Sequence, residues 1–241
     1  MDKDSFLYKS IVTILNYELV PWEADMHEDS KLDYSILSMR NIYDFATTMD
    51  IKDVEPILRR QVEYNNALAS EGLEKEDGAN IGRIMMEQSS NVHNLARART
   101  VAALDAWVFG STLPVIVNCD SVYQGIGVCI PIQEYVMEDD MGEEKCYRAL
   151  AISNLTAICF KKKIEDNAEL SGAVCAGLGA GAAICYLRGG VYEDIAKVLE
   201  RTYRITQGLN CTDDEPLGAA KLALGVEAGL LAMELWQAGR L

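Results

Sequence analysis

The sequence predicts an all-α protein, a compact set of helices packed around one central helix rich in alanine and glycine. Apolar residues recur at the three- or four-residue spacing of an amphipathic helix through most of the chain. The stretch 171–187 contains no charged residue at all. A helix of this composition has no face suited to water, so we place the stretch at the centre of the fold.

Small residues recur along this central stretch at Gly172, Ala176, Ala180 and Ala183. On a helix they form one smooth ridge, against which neighbouring backbones can approach closely. Each glycine in a helix interior costs about 0.5–1 kcal/mol relative to alanine, and close packing has to recover that free energy. The stretch is therefore predicted to be a buried helix rather than a membrane span, since alanine and glycine drive membrane insertion only weakly.

The other elements are predicted in chain order from the same spacing. A first helix covers 6–16, with Ser5 as its N-cap, and Pro21 ends it. A second helix covers 50–69, with Asp53 able to cap it and Pro56 in its first turn. Further helices are predicted over Ile81–Met86, 95–108, 143–160, 192–205 and 217–236. A short extended segment over 115–117 leads into the polar stretch 118–125, which is either a small-molecule pocket or a plain turn.

The length and composition bound the organisation of the protein. We divide the 241 residues into an N-terminal helix and acidic loop over 1–50 and a helical domain over 51–241. The formal net charge of −15 argues against nucleic acid and anionic membrane surfaces as partners. Seven cysteines, none of them in a Cys-x-x-Cys pair, indicate reduced thiols and a cytoplasmic protein.

From Glu55 onward, a series of short motifs covers roughly three-quarters of the chain. The motifs are Asn65, Ala67-Leu68, Glu71-Gly72-Leu73, Gly78, Ile81-Gly82, Arg99-Thr100, Asp105-Ala106, Gly110, Thr112-Leu113-Pro114, Asn118, Ser121, Gln124-Gly125-Ile126, Arg148-Ala149-Leu150, Ser153, Leu155, Tyr192-Glu193, Gly208 and Cys211. In this order and spacing they resemble the L-cysteine desulfidase family, which is related to the alpha chain of bacterial iron–sulfur L-serine dehydratases.

The resemblance implies an all-helical catalytic domain with a 4Fe–4S cluster held by three cysteines. One iron of the cluster stays open and acts as a Lewis acid while sulfide or water is eliminated from a small amino acid, which yields pyruvate and ammonia. The resemblance also implies a set of residues that bind the amino-acid-like substrate, and we expect them to converge on one pocket. These residues are Asn65, Glu71, Thr112, Asn118, Ser121, Gln124 and Gly125.

The resemblance places the three cluster cysteines of the family on Ser171, Cys211 and Gly218. Only Cys211 offers a thiolate, because a hydroxyl is a poor ligand for cluster iron and glycine has no side chain. Cys175 and Cys119 replace the two lost ligands only if both act together with Cys211. We therefore expect no cofactor, and a 4Fe–4S cluster only if this rescue operates.

Substitutions in the pocket loop leave three functions open. Asp120 and Tyr123 stand where the family has small, glycine-rich positions. The first function is a diverged, cluster-free relative that keeps an amino-acid-like pocket or serves as a partner subunit. The second is an active lyase subunit, completed by a separate chain that supplies the N-terminal half of the family. The third is new chemistry in the old pocket, with Cys119 as nucleophile or Asp120 as base. A homo-oligomer is a further expected assembly.

Overall fold

A computed structural model of the protein describes residues 1–22, 32–76, 78–163, 171–209 and 217–241, and within them the chain is mostly helical. The helices are α1 (Phe6–Glu18), α2 (Met39–Thr48), α3 (Glu55–Glu74), α4 (Ile81–Met86), α5 (Val92–Val108), α6 (Val122–Gly127), α7 (Ile130–Glu138), α8 (Glu143–Lys163), α9 (Gly172–Leu187), α10 (Tyr192–Thr206) and α11 (Gly218–Gln237). Two short strands, β1 (Leu19–Pro21) and β2 (Ile116–Asn118), pair antiparallel with Val20 opposite Val117. The prediction of an all-α fold is confirmed.

Helix α9 lies at the centre of the fold, as predicted, and all of its residues are buried. It packs against α6, α7, α8, α10 and α11. Glycines let the backbones of α9 and α11 approach each other closely. A Cβ on Gly177 would lie 1.9 Å from the carbonyl oxygen of Gly225, and a Cβ on Gly225 would lie 2.1 Å from that of Ala173. Both distances are far below van der Waals contact, so this crossing requires glycine.

Two details of the predicted helix ends are wrong. Helix α1 ends at Glu18, where β1 begins, so Pro21 ends the strand and not the helix. Asp53 does not cap α3, because it lies in a preceding 3₁₀ turn and its Oδ2 accepts a hydrogen bond from the Tyr8 hydroxyl at 2.6 Å. Pro56 does lie in the first turn of α3, where its missing N–H leaves no partner unsatisfied.

Three helices were absent from the sequence prediction. Helix α6 begins inside the polar stretch 118–125, where the Ser121 hydroxyl accepts a hydrogen bond from the backbone N–H of Gln124 at 3.2 Å. Helices α2 and α7 also lie between the predicted elements. The polar stretch is therefore a tight turn followed by a short helix, and that helix packs directly on α9.

Residues 1–22 and 32–50 pack on the same core as the rest of the described chain. Strand β1 pairs with β2, helix α2 packs against α8, and Leu15 and Phe45 are fully buried. The predicted acidic loop falls on 23–31, outside the described residues. Among the described ranges, no helix has both the length and the apolar character that a membrane crossing requires.

Candidate functional site

A chain of buried side-chain amides joins β2, α3, α6 and α8. Gln124 Nε2 donates to Asn118 Oδ1 at 2.7 Å, and Asn118 Nδ2 donates to Asn154 Oδ1 at 2.8 Å. Asn154 Nδ2 in turn donates to Gln61 Oε1 at 2.9 Å. All four side chains are completely buried. The Oε1 atom of Gln124 has no hydrogen-bond partner among the described residues, so one end of this chain is an unsatisfied acceptor.

Asn65 fixes the same region from α3. Its Nδ2 donates to the carbonyl oxygen of Gly125 at 3.0 Å, and its Oδ1 accepts from the backbone N–H of Ile116 at 2.9 Å. A Cβ at Gly125 would lie 2.2 Å from the carbonyl oxygen of Ile116, so only glycine allows α6 this close to β2. The structure thus brings together five of the predicted site residues: Asn65, Asn118, Ser121, Gln124 and Gly125.

The turn between β2 and α6 is strained. Cys119 and Asp120 have φ of 48° and 56°, and two successive residues other than glycine in the left-handed region are unusual. Asn118 and Ser121 close the turn with reciprocal backbone hydrogen bonds of 3.3 and 3.1 Å. Strain of about 1–3 kcal/mol per residue persists only where the surroundings enforce it, and such sites are often functional. Asp120 is exposed at the tip of the turn, whereas Cys119 points inward and is buried.

A partly buried group of polar side chains lies beside Cys119. Glu18 is only 2% exposed, accepts a hydrogen bond from the Tyr34 hydroxyl and lies 3.5 Å from Lys162 Nζ. The Cys119 thiol lies close to the Glu18 carboxylate. Burial, reinforced by the Glu18 carboxylate, raises the pKa of Cys119 well above its ordinary value. The thiol is therefore neutral, which leaves Cys119 a poor nucleophile.

Glu18, Tyr34 and Lys162 are absent from the sequence-based set of site residues. One signal was available in the sequence, because Glu18 continues the apolar face of α1 seven residues after Ile11 and four after Ile14. A charged residue in the buried stripe of an amphipathic helix needs a partner. Its partners, however, come from segments far away in the sequence, so the local pattern does not name them.

The first turns of helices α6, α9 and α11 meet beside the loop that joins β2 to α6. A Cβ at Gly172 would lie 2.3 Å from Ser121 Oγ, which places the start of α9 against the start of α6. A Cβ at Gly218 would lie only 1.8 Å from the hydroxyl oxygen of Tyr123. Tyr123 is 1% exposed. It therefore fills the space into which any side chain at position 218 would project.

The described cluster positions do not fit a 4Fe–4S cluster. The Ser171 hydroxyl accepts a hydrogen bond from the Val174 N–H at 3.3 Å and serves as the N-cap of α9. At position 218 there is neither a side chain nor room for one. Cys211 lies outside the described residues. Cys175 is buried in α9, and burial raises the pKa of its thiol to about 12.

Glu71 and Thr112 lie at a second place, where the end of α3 meets the end of α5. Glu71 accepts hydrogen bonds from Lys75 and from the Ser111 hydroxyl, which together lower the pKa of its carboxyl group. These three residues and Phe109 line a small cleft of about 50 Å³. Thr112 is exposed beside Ser111. None of the amide-chain residues lines this cleft.

Comparison with known proteins now gives the family. The family model for the serine dehydratase alpha chain matches residues 16–240. This chain belongs to the serine dehydratase alpha chain family. The match begins well before Asn65, the first of the family-like motifs, and includes Glu18 and β1. No solved structure matches the chain.

Several curated relatives are UPF0597 proteins. One from Desulfitobacterium hafniense is 39% identical over 219 residues, which cover 90% of this chain and 51% of the relative. One from Lachnoclostridium phytofermentans is 41% identical over 211 residues, which cover 87% of this chain and 51% of the relative. One from Treponema denticola is 34% identical over 221 residues, covering 89% and 51%. The chain thus spans about half the length of the curated relatives it matches.

Proposed function

We propose that this serine dehydratase alpha chain relative binds a small amino-acid-like ligand, and that it does so without an iron–sulfur cluster and without lyase chemistry of its own. The observation that carries the proposal is the unsatisfied Gln124 Oε1 atom at the end of the buried amide chain. An acceptor buried without a donor costs about 1–3 kcal/mol. A bound donor removes that cost.

The surroundings of Gln124 suit a zwitterionic ligand. The other side chains of the buried amide chain, Asn118, Asn154 and Gln61, are hydrogen-bonded to one another. Gln124 Oε1 is therefore the acceptor left for a ligand ammonium group. Helix α9 begins beside the backbone of Gln124, since a Cβ at Gly172 would lie 3.3 Å from the Gln124 backbone nitrogen. The first turn of a helix attracts a carboxylate through its free N–H groups and its dipole. An α-amino acid carries both an ammonium group and a carboxylate.

The same surroundings argue against elimination chemistry by this chain alone. Loss of sulfide or water needs an open metal ion or an activated base near the substrate. Tyr123 occupies the space at Gly218, and the Cys119 thiol is held neutral by burial. The free, buried cysteines of the described residues suit a reducing compartment, so we place the protein in the cytoplasm.

Ligand binding by two amide variants tests the proposal. Gln124→Met removes the free acceptor with little change in size, whereas Gln61→Met breaks the opposite end of the same amide chain and keeps the acceptor. The melting temperature of each protein is measured with L-serine, L-cysteine and L-alanine, and pyruvate is measured in parallel. We expect one or more of the amino acids to stabilise the wild type and Gln61→Met but not Gln124→Met, and we expect no pyruvate.

Three results would contradict the proposal. If none of the amino acids stabilises the wild type, or if Gln124→Met responds like the wild type, Gln124 is not a ligand-binding residue and a buried water is the simpler partner of its Oε1 atom. Formation of pyruvate from L-serine or L-cysteine by the chain alone would show that it is an active lyase.

A further inference from the structure

Apolar side chains are exposed together around the end of α5. Trp22, Val108, Phe109 and Leu113 have 45%, 39%, 48% and 37% of their surface exposed. The Trp22 ring meets the Trp107 ring edge-on, with the centroids 5.7 Å apart. We call these five residues the aromatic face. Exposed aromatic residues clustered in this way are typical of a protein interface.

The aromatic face adjoins the cleft that holds Glu71. Phe109 belongs to both, because its ring covers Gly78 on one side and lines the cleft beside Lys75 and Ser111 on the other. The cleft therefore has charged and hydroxyl groups on its floor and apolar groups at its rim. On its own it holds only about 50 Å³, too little for a metabolite. A polypeptide laid across the rim would cover these groups and enclose the cleft.

We propose that the aromatic face is the docking surface for a polypeptide equivalent to the other half of the longer UPF0597 relatives. The relatives are about twice as long as the stretch that matches this chain, so each of them carries a further segment of similar length. Its contacting surface carries apolar side chains at the centre, to bury the aromatic residues, and polar groups that meet Glu71 and Lys75. This inference does not depend on ligand binding at Gln124.

A second exposed apolar stripe provides a control. At the N-cap of α11 and along the helix, Leu217, Leu224 and Leu231 recur every seven residues with 60%, 54% and 39% of their surface exposed. This stripe is as apolar as the aromatic face, but none of its residues lines the cleft. A generally sticky partner would cover both surfaces, whereas a specific one covers only the aromatic face.

Cysteine labelling in a fusion protein tests the inference. The full chain is joined, in the order of the Desulfitobacterium hafniense relative, to the part of that relative outside the matched residues. Phe109→Cys, Leu113→Cys and, as control, Leu224→Cys are introduced singly into the fusion and into the chain alone. The rate of iodoacetamide alkylation at each introduced thiol is measured by peptide mass spectrometry, after circular dichroism has shown equal helicity.

We expect alkylation at positions 109 and 113 to be at least roughly tenfold slower in the fusion than in the chain alone, with position 224 unchanged. Equal rates at 109 and 113 in both proteins would overturn the proposal. So would protection at 224, with or without protection at 109 and 113. If positions 109 and 113 already react slowly in the chain alone and faster on dilution, a second copy covers the face and the proposal is wrong.

Discussion

Replacing Gly218 by alanine tests whether Tyr123 has taken the place of a side chain at position 218. The new Cβ would lie 1.8 Å from the tyrosine hydroxyl oxygen, and 2.6 and 2.8 Å from two ring carbons. Because Tyr123 is 1% exposed, its ring cannot swing into solvent. Overpacking of this kind costs about 1–3 kcal/mol, offset in part by the better helix propensity of alanine. We expect a net loss of about 1–2 kcal/mol, or a fall of roughly 2–8 °C in Tm.

A double-mutant cycle separates this contact from a general effect on α11. Tyr123→Leu removes the hydroxyl and the distal ring atoms while keeping an apolar side chain. In that background Gly218→Ala has nothing to strike, so it should be neutral or stabilise by up to about 1 kcal/mol. The coupling between the two changes should therefore be about 1–3 kcal/mol, the range for residues in direct contact. Urea unfolding followed by circular dichroism measures all four proteins.

Two outcomes of the cycle would refute the reasoning. If Gly218→Ala is neutral in the wild type, the space at position 218 is not filled. If it costs the same in both backgrounds, the strain comes from another neighbour and Tyr123 has not replaced a ligand side chain.

Three further predictions address other parts of the fold. His93 donates from both ring nitrogens, to Glu227 at 2.7 Å and Glu234 at 2.6 Å, and these bonds raise its pKa. The stability lost in His93→Gln should thus be greatest below pH 6.5, the ordinary pKa of histidine, and should shrink as the pH rises through the raised pKa of His93. Urea unfolding at several pH values measures this loss, and a loss that does not change with pH would contradict the prediction. Gly177→Ala should cost about 3 kcal/mol or prevent folding, because its Cβ meets the α11 backbone, and an unchanged Tm would disprove the close crossing. Native Cys119 should resist iodoacetamide at neutral pH until the protein is denatured, and rapid labelling of the native protein would show an activated thiol.

The sequence predicted those helices whose pattern is local and missed those whose pattern is not. Helix α9 stood out because an uncharged stretch of small residues has few other stable environments. Helix α7 lacks a polar face, since nearly all of its residues are buried, and amphipathic spacing cannot reveal such a helix. Helix α6 has only six residues, and its Ser121 cap was read as part of a turn. Helix α2 did carry a signal, the Ser38 cap followed by Ile42 and Phe45, which the sequence reading overlooked.

The candidate site could be predicted only where the family resemblance supplied it. Asn65, Asn118 and Gln124 were named on that basis, and the structure brings them together. Their partners Gln61 and Asn154 are 93 residues apart, and no local pattern links positions at that distance. The contact between Tyr123 and Gly218 has the same character. The sequence shows both departures from the family, the tyrosine at 123 and the glycine at 218. Only the packing shows that Tyr123 fills the space left by the missing side chain at position 218.

Iron content and the visible spectrum of the anaerobically purified protein test the central claim most directly. Cluster stability comes from thiolate–iron bonds. Of the three positions that correspond to the cluster cysteines of the family, Ser171, Cys211 and Gly218, only Cys211 carries a thiol. The account predicts a colourless protein with little iron. A stoichiometric iron–sulfur cluster, with its broad visible absorption lost in Cys211→Ala, would contradict it.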